Sequence, residues 1–295
     1  MSPVTIAVAS GKGGTGKTLV ATNLAAYLAS TGVRVTLGDC DVEAPNDHLF
    51  LDAEWDRRAV TVPVPESTVE ACPVGCAACR DVCRFGAIRM LGGAPVVFAD
   101  LCHNCGACVD VCPSSVLHEV PVSVGHTDAG RVRDGLNLVT GTLDVGQSKA
   151  PALIAATRER AEEVGADVVI LDAPPGAACS AVATLHGVDF LLLVTEPTMF
   201  GLHDLTLMVE LAKGLALPTA VVLNRVGTGV VDVAGYCHAE GVPILAQFPF
   251  DREVAARYAD GVLLVEGHPL GVQWFSHLWE ALRVERASRV AGVSA

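Results

Sequence analysis

The stretch VTIAVASGKGGTGKT, residues 4–18, decides the fold of this chain. Its first seven residues are mostly apolar and rich in β-branched side chains, which predicts a buried strand. Residues 19–29 then follow an apolar helical pattern. A strand, the motif Gly-x4-Gly-Lys-Thr and a helix in this order are typical of a phosphate-binding P-loop. The alternative is a glycine-rich turn without a ligand, which this setting disfavours.

The chemistry of the loop follows from its glycines and its last two residues. Glycines let backbone N–H groups turn inward around phosphate, and the helix N-terminus adds a favourable dipole. Lys17 is predicted to reach the β- and γ-phosphates, and the Thr18 hydroxyl is predicted to coordinate Mg²⁺. The candidate nucleotide-binding residues of the loop are Gly11, Lys12, Gly13, Gly14, Thr15, Gly16, Lys17 and Thr18.

Eight of the eleven cysteines lie in two short runs between residues 72 and 112. The first run reads Cys-x3-Cys-x2-Cys-x3-Cys, and the second reads Cys-x2-Cys-x2-Cys-x3-Cys-Pro, the spacing of bacterial ferredoxins. In such pairs, three cysteines of one run and the fourth of the other hold each [4Fe–4S] cluster. The predicted ligands are Cys72, Cys76, Cys79 and Cys112 for one cluster, and Cys102, Cys105, Cys108 and Cys83 for the other.

Zinc and disulfide bonds are the alternative explanations for these cysteines. Zinc is satisfied by four ligands in paired motifs and has no use for the additional cysteines of each run. Disulfides suit small secreted scaffolds, and we see no export signal in this sequence. The first run departs from the ferredoxin pattern by one extra residue before Cys76 and by Arg84 in place of proline. We therefore expect the cluster on the first run to be the more exposed or labile one.

A second lysine early in the P-loop, Lys12, gives the chain a resemblance to the MinD/ParA/nitrogenase-iron-protein ATPases, whose Walker A motif deviates in this way. Residues 33–41 resemble the second strand and switch I of this family. Residues 167–176 resemble Walker B and switch II, and residues 190–197 and 220–225 resemble two further core strands. Because the cysteine runs lie between switch I and Walker B, the chain resembles members of the MinD/ParA/Mrp superfamily with an inserted two-cluster ferredoxin domain.

The predicted fold is therefore α/β. It is a P-loop NTPase with a doubly wound, mostly parallel sheet and an inserted small α+β ferredoxin-like domain. The predicted ATPase domain comprises residues 1–65 and 121–295, and the predicted ferredoxin-like domain comprises residues 66–120. In such sheets ligands bind at the carboxyl ends of the strands. The predicted helices are 19–29, 151–163, 203–215 and 251–258.

The resemblance implies roles for the matching polar residues. Lys12 matches a lysine that crosses a dimer interface to the partner's nucleotide, which implies an ATP-dependent homodimer. Asp41 matches the switch I residue that orients the attacking water. Asp172 matches the Walker B acid and, with Thr18 and Asp39, would hold Mg²⁺ directly or through water. Solvated loop side chains and strand-end caps are the alternatives. The catalytic candidates are Lys12, Lys17, Asp41 and Asp172.

Four further residues are assigned less directly by the resemblance. Asn224 and Arg225 match a pair that recognises adenine, and Pro249 matches a segment that covers the base. Cys179 lies at the same offset from Asp172 as a cluster ligand of the nitrogenase iron protein. The second such cysteine is missing, so a structural or partner-facing thiol is the favoured interpretation of Cys179.

Composition restricts the function classes. The formal net charge of −13 argues against a sequence-independent grip on nucleic acid. The longest apolar runs have strand length, so no membrane span is predicted. Residues 273–282 have an apolar helical face, which predicts a closing helix on the sheet rather than the membrane-targeting helix of MinD. Eleven cysteines without an export signal favour a reducing cytoplasm.

Two function classes fit these predictions. In the first, ATP binding and hydrolysis gate electron transfer through two [4Fe–4S] clusters to an unidentified protein partner. In the second, the chain is an iron–sulfur carrier of the Mrp type or a spatial regulator of the MinD type. Eight cysteines satisfy two clusters without help from a partner, and fully ligated clusters are hard to give away. The ligand count therefore favours electron transfer.

Overall fold

A computed structural model describes residues 3–68 and 72–293 of the chain, with side chains up to residue 289. The strands are β1 (Val4–Ala9), β2 (Val35–Asp39), β3 (Glu54–Ser67), β4 (Ile88–Leu91), β5 (Ala94–Val97), β6 (Leu117–Arg133), β7 (Leu136–Leu143), β8 (Val168–Asp172), β9 (Phe190–Thr195), β10 (Thr219–Val226) and β11 (Ile244–Pro249). The helices are α1 (Lys17–Ser30), α2 (Ala78–Val82), α3 (Ala107–Asp110), α4 (Ala150–Glu163), α5 (Cys179–Leu185), α6 (Met199–Gly214), α7 (Val233–Glu240), α8 (Arg252–Ala259), α9 (Leu264–Gly267) and α10 (Gly271–Val293).

Nine of the strands form one sheet in the order β11-β10-β9-β1-β8-β2-β7-β6-β3. The first seven strands of this order are parallel to their neighbours, whereas β6 and β3 extend one edge in antiparallel pairing. Alternate residues of β1 point into two apolar cores, Ile6 and Val8 into one and Ala7 and Ala9 into the other. Helices therefore cover both faces of the parallel part. The predicted α/β fold with a mostly parallel sheet is confirmed.

The register of three central strands brings two acids together. Asp172, the last residue of β8, is the neighbour of Val8 in β1 and of Asp39 in β2. All five residues of β8 are buried, and so are all five of β2. Since parallel strands end at one edge, Asp39 and Asp172 meet where β1 runs into the P-loop.

The predicted helices lie within one to four residues of α1, α4, α6 and α8. Asn224 lies inside β10, near its carboxyl end. The sequence analysis missed β3 and β6, whose many polar and exposed residues lack the apolar signature of a buried strand, and β7, which is mostly buried but whose apolar residues are interrupted by polar ones.

A long two-stranded arm, β3 with β6, leads from the sheet edge to the cysteine runs. Its pairing extends from Glu54 opposite Arg131 to Ser67 opposite Leu117. Beyond the last pair lie α2, the hairpin β4–β5 and α3, which share a small apolar core of their own. The assignment of residues 66–120 as a ferredoxin-like domain stays a prediction.

The C-terminal helix α10 packs its apolar face onto the sheet. Phe275, Leu278 and Leu282 are fully buried in the same core as α1, and Trp274 stacks on Phe248 of β11 with ring centroids 5.4 Å apart. The face predicted for residues 273–282 is thus the one that closes this core. Within the described ranges, no helix combines the length and apolarity needed to cross a membrane.

Phe275→Ala is expected to lower the free energy of unfolding by about 3–5 kcal/mol, the usual cost of removing a buried aromatic ring. Denaturant titration followed by circular dichroism measures this change. Val284→Ala is the matched control on the same helix, because Val284 is 67% exposed, and its effect should stay within about 0.5 kcal/mol. Equal stability of both variants would show that α10 is not part of the core.

Candidate functional site

The P-loop adopts a conformation that only glycine permits at one position. Gly16 has φ +98°, and a Cβ there would lie 2.3 Å from the Asn224 side-chain nitrogen. That nitrogen donates to the Thr15 carbonyl over 2.8 Å, and the Asn224 side-chain oxygen accepts from the Arg225 N–H. Asn224, predicted to recognise adenine, therefore holds the loop in place through its side chain.

Lys17 and Thr18 both bind the Walker B carboxylate. The Lys17 ammonium lies 2.8 Å from one Asp172 oxygen, and the Thr18 hydroxyl donates to the other over 2.7 Å. Burial disfavours the charge of Lys17, but the attraction of Asp172 outweighs it and raises the lysine pKa. The two residues predicted to meet phosphate and Mg²⁺ are thus held ready around a single carboxylate.

A third acid, Asp47, joins the two that the sequence analysis identified. Oxygens of Asp39, Asp47 and Asp172 lie within 4.8 Å of one another, and all three residues are fully buried. Among the residues that the structure describes, neither side-chain oxygen of Asp47 has a hydrogen-bond partner. Spacing alone could not reveal Asp47, because it lies in the short 3₁₀ turn Asp47–Leu49 after switch I rather than at a strand end.

Crowding of these acids disfavours their charged forms. Burial and the Asp172 carboxylate raise the pKa of Asp39 to about 7, although Asp39 accepts hydrogen bonds from the backbone N–H groups of Asn46 and Asp47. Burial, then Asp39 and Asp172, raise the pKa of Asp47 well above its ordinary value. Because hard cations prefer carboxylate and hydroxyl oxygens, this group with Thr18 fits a divalent ion such as Mg²⁺.

Most of the predicted nucleotide residues surround one cavity of about 370 Å³, a size typical of small-molecule sites, whereas Gly11, Lys12 and Thr15 are not among its lining residues. Asp41 lines it and is half-buried, and burial raises the Asp41 pKa. Phe250 and Tyr258, which the sequence analysis missed, add aromatic surface beside Pro249. The lining residues predicted from the sequence are Gly13, Gly14, Gly16, Lys17, Thr18, Asp41, Asn224, Arg225 and Pro249.

Lys12 is held by a residue of its own chain. Its ammonium lies 2.5 Å from one oxygen of Glu196, and Arg225 lies 3.1 Å from the other. Glu196 is 8% exposed. Burial opposes ionisation of Glu196, but Lys12 and Arg225 outweigh it and lower the pKa of this carboxyl. The sequence analysis missed Glu196, because nothing in its strand-end position marks it as the partner of a residue 184 positions away.

Four of the cysteines line a second cavity, of about 30 Å³. We call these four the Cys102 set, and the other predicted ligands the Cys72 set. The Phe85 and His103 rings stack beside the cavity with centroids 3.6 Å apart, which covers one of its sides. The Cys102 set is Cys83, Cys102, Cys105 and Cys108. The Cys72 set is Cys72, Cys76, Cys79 and Cys112.

Members of the Cys72 set share the small core of their segment. Cys79 is buried there, and Cys72 and Cys112 pack against it. Burial opposes ionisation of Cys112, but backbone N–H groups of residues 114–117 outweigh it and lower the pKa of this thiol. A loop of N–H donors around a sulfur suits a thiolate ligand.

The three remaining cysteines differ in exposure. Cys40 and Cys237 are buried, and burial raises the pKa of both, to about 11 for Cys237. They are therefore interpreted as small buried apolar side chains. Cys179 is exposed at the first residue of α5.

Comparisons with known proteins agree with this architecture. Residues 6–265 match the model of the CobQ/CobB/MinD/ParA nucleotide-binding domain. An uncharacterized protein of Methanocaldococcus jannaschii is 30% identical over 94% of this chain and 96% of its own length. An iron–sulfur cluster carrier protein of Aquifex aeolicus is 23% identical over 90% of this chain and 62% of its own length. The septum site-determining protein MinD of Pyrococcus horikoshii, solved with Mg-ADP, has the same fold, with a TM-score of 0.60, 21% identity and 99% of each chain covered.

Asp47→Asn is expected to raise the melting temperature of the metal-free protein at pH 8. An acid whose pKa is raised by folding stabilises the fold fully below its unfolded value, near 4, and this stability is lost as pH rises through the folded value. For the acids described above the loss extends to about pH 7 and beyond. The gain from Asp47→Asn should therefore be absent near pH 4, grow toward pH 8, and shrink when Mg²⁺ is added.

Thermal unfolding in EDTA, with and without added Mg²⁺, measures this effect. Asp52→Asn is the control, because it removes the same charge from an exposed position. A variant that is less stable than the parent at pH 8 in EDTA would contradict the proposed repulsion.

Proposed function

Because the chain belongs to the CobQ/CobB/MinD/ParA nucleotide-binding family, we propose that it is a Mg²⁺-dependent ATPase that couples ATP to electron transfer. Electrons would pass through two [4Fe–4S] clusters to a protein partner. The observation that carries this proposal is the Cys102 set, whose four members come from two distant runs and line a single cavity. That grouping crosses between the runs as the ferredoxin pattern requires.

The residues around the larger cavity divide the chemistry of ATP hydrolysis. Backbone N–H groups of the P-loop and Lys17 would hold the phosphates, and Mg²⁺ would bind Thr18 and the buried carboxylates, directly or through water. When bound, Mg²⁺ neutralises charge on the phosphate oxygens. Asp41 lines the same cavity beyond the end of β2, so it is placed to orient a water for attack.

A nucleotide-gated homodimer explains the position of Lys12. In the single chain Lys12 pairs with Glu196, so it cannot at the same time reach the nucleotide of a partner. ATP would therefore favour the dimer by offering phosphate charge that replaces the carboxylate of Glu196. Hydrolysis is expected to be slow without the protein partner.

The donor chemistry of both thiol sets fits cubane clusters. Each set supplies four thiols, and the chain provides N–H groups toward Cys112 and Cys102. A bound [4Fe–4S] cluster accepts and releases one electron, and its surroundings set the potential. The protein's part is to hold the thiolates and to limit access of water. We place the protein in a reducing cytoplasm, where eleven cysteines stay free of disulfides.

A cluster-carrier function is the second candidate, because the Aquifex aeolicus relative is named an iron–sulfur cluster carrier protein. Two features argue against the carrier function: each predicted cluster has a full set of four cysteine ligands, and each set is partly buried. Cys79 and Cys108 are buried, and a cluster anchored by four thiolates leaves no open position for an acceptor. Transfer of iron to an apo-protein faster than electron exchange would favour the carrier function.

Lys17→Ala is expected to abolish nucleotide binding, with a loss of about 2–5 kcal/mol for removing one partner of a buried charge pair. Asp41→Ala should keep nucleotide binding and lower kcat by roughly 10²–10⁴-fold, the usual contribution of a positioned acid–base group. Binding is measured with a fluorescent nucleotide and turnover by phosphate release. Glu43→Ala is the control in the same loop, since Glu43 is exposed; parental turnover in Asp41→Ala would refute the role of Asp41.

The same Asp41→Ala variant should accumulate as a dimer with Mg-ATP, because it binds the nucleotide without consuming it. Light scattering after size exclusion measures the mass. Adding Lys12→Ala should return the protein to the monomer, whereas Lys213→Ala, on an exposed part of α6, should leave the dimer intact.

Anaerobically purified protein is expected to contain about eight irons and eight sulfides, from two four-iron clusters. Cys105→Ala should reduce the content to about four, because it removes one ligand of the Cys102 set. Cys179→Ala is the matched control, since Cys179 is exposed and outside both sets. A parental value near four would mean that the Cys72 set, with its extra residue, builds no stable cluster; stoichiometric zinc would refute both clusters.

A further inference from the structure

Lys149 is a buried lysine that the proposed ATPase chemistry does not use. It precedes α4 and is 7% exposed. Its ammonium donates to the carbonyl of Ala99 over 2.7 Å and to the carbonyl of Cys102 over 2.8 Å. Within the described ranges these partners are neutral, and Lys149 forms no ion pair. A buried ammonium without a carboxylate is costly unless some other negative charge lies near.

The local structure does not explain why a lysine occupies this position. The N-terminus of a helix carries a partial positive charge, so a cation beside the start of α4 is electrostatically unfavourable. The whole chain has only four lysines, and two of them, Lys12 and Lys17, belong to the P-loop. Most surface cations of this chain are arginines. The charge of Lys149 therefore needs a partner that is absent from the protein groups around it.

The Cys102 set supplies a partner of the right sign. Cys102 is one of its four members, and the turn Ala99–Leu101 that leads to it packs on the core beneath α4. Four thiolates around a cubane leave a net negative charge on the cluster, and reduction adds one more. A buried positive charge stabilises the reduced cluster more than the oxidised one, since cluster net charge and surroundings set the potential.

Further contacts hold the same turn against the rest of the chain. The Ser148 hydroxyl donates to the carbonyl of Asp100 over 3.1 Å. The Asn104 N–H donates to the Cys102 sulfur over 3.4 Å, and the Asn104 side chain donates to the Pro63 carbonyl over 2.6 Å. The cysteine segment is thus attached to the sheet not only through its arm but also through Lys149 at the start of α4.

We propose that Lys149 is a positioning residue that fixes the Cys102 turn on the ATPase core and raises the reduction potential of the cluster held by the Cys102 set. This inference rests on the proposed two-cluster function. It assigns different properties to the two clusters. The cluster on the Cys102 set lies against the core and has a cation beside it, whereas the cluster on the Cys72 set lacks that cation.

Redox titration followed by EPR tests the inference on the full chain, with dithionite supplying one electron to each cluster. In Lys149→Met, the equilibrium constant for reduction of one cluster should fall about tenfold, which is ~59 mV for a one-electron couple. The other cluster should titrate as in the parent. Lys149→Arg keeps the charge and should retain most of the parental potential. Lys213→Met removes the same charge from an exposed part of α6 and should change neither cluster.

A second background identifies which cluster responds. In Cys76→Ala the Cys72 set cannot complete its cluster, so the remaining signal belongs to the Cys102 set, and Lys149→Met should shift that signal. If Lys149→Met instead loses about four irons while it still binds ATP, the positioning role is supported. Full iron content with parental potentials overturns the inference, and so does an equal shift of both clusters. Parent protein without iron overturns the proposed function itself, which keeps the two failures distinct.

Discussion

Three buried carboxylates lie around a single lysine, Lys17, at the carboxyl edge of the central sheet. Much of the molecule is arranged around this excess of acidic groups over basic ones. The parallel register of β1, β8 and β2 fixes Asp172 beside Asp39, and the P-loop delivers Lys17 to the same point. One ammonium cannot neutralise three buried acids. In the proposed ATPase, the free energy released when a divalent cation and phosphate bind would therefore be available to change the conformation of the loops that bear these acids.

Sequence alone predicted the parts of this site that are local. The P-loop is a short motif whose glycines, lysine and threonine act within eight residues, and apolar runs mark the strands on either side. Asp47 and Glu196 were not predicted, because the role of each depends on a contact with a residue that is distant in the sequence. Asp47 lies beside Asp172, and Glu196 pairs with Lys12. Periodicity and spacing describe the chain near a residue, and they carry no information about which distant side chain it will meet.

The same limit explains why the two strands of the arm were not predicted. The strands β3 and β6 are long and largely exposed, so they lack the apolar signal that identified the parallel strands. The cysteine spacing does predict a ligand-binding segment at the end of these strands, because ligand geometry acts over short distances, and that assignment stays a prediction. What the spacing could not show is that this segment returns to the ATPase core through Lys149. A segment anchored at two places has less freedom to reorient than one on a simple hairpin, so its cysteines keep a defined orientation to the core.

Coupling between nucleotide and clusters requires an element with two arrangements, since proximity alone transmits nothing. In the proposed dimer the pair of Lys12 and Glu196 is such an element, because Lys12 would bind either its own Glu196 or a partner's phosphate but not both. Without Lys12, Glu196 keeps Arg225 at 3.1 Å and the Thr198 hydroxyl at 3.3 Å. Elsewhere in the fold, α4 joins Lys149 at its start to the strand that ends in Asp172. In the proposed function, charge rearrangement at Asp172 and charge on the cluster would act on one helix–strand unit, which offers a second path for a nucleotide effect on the potential.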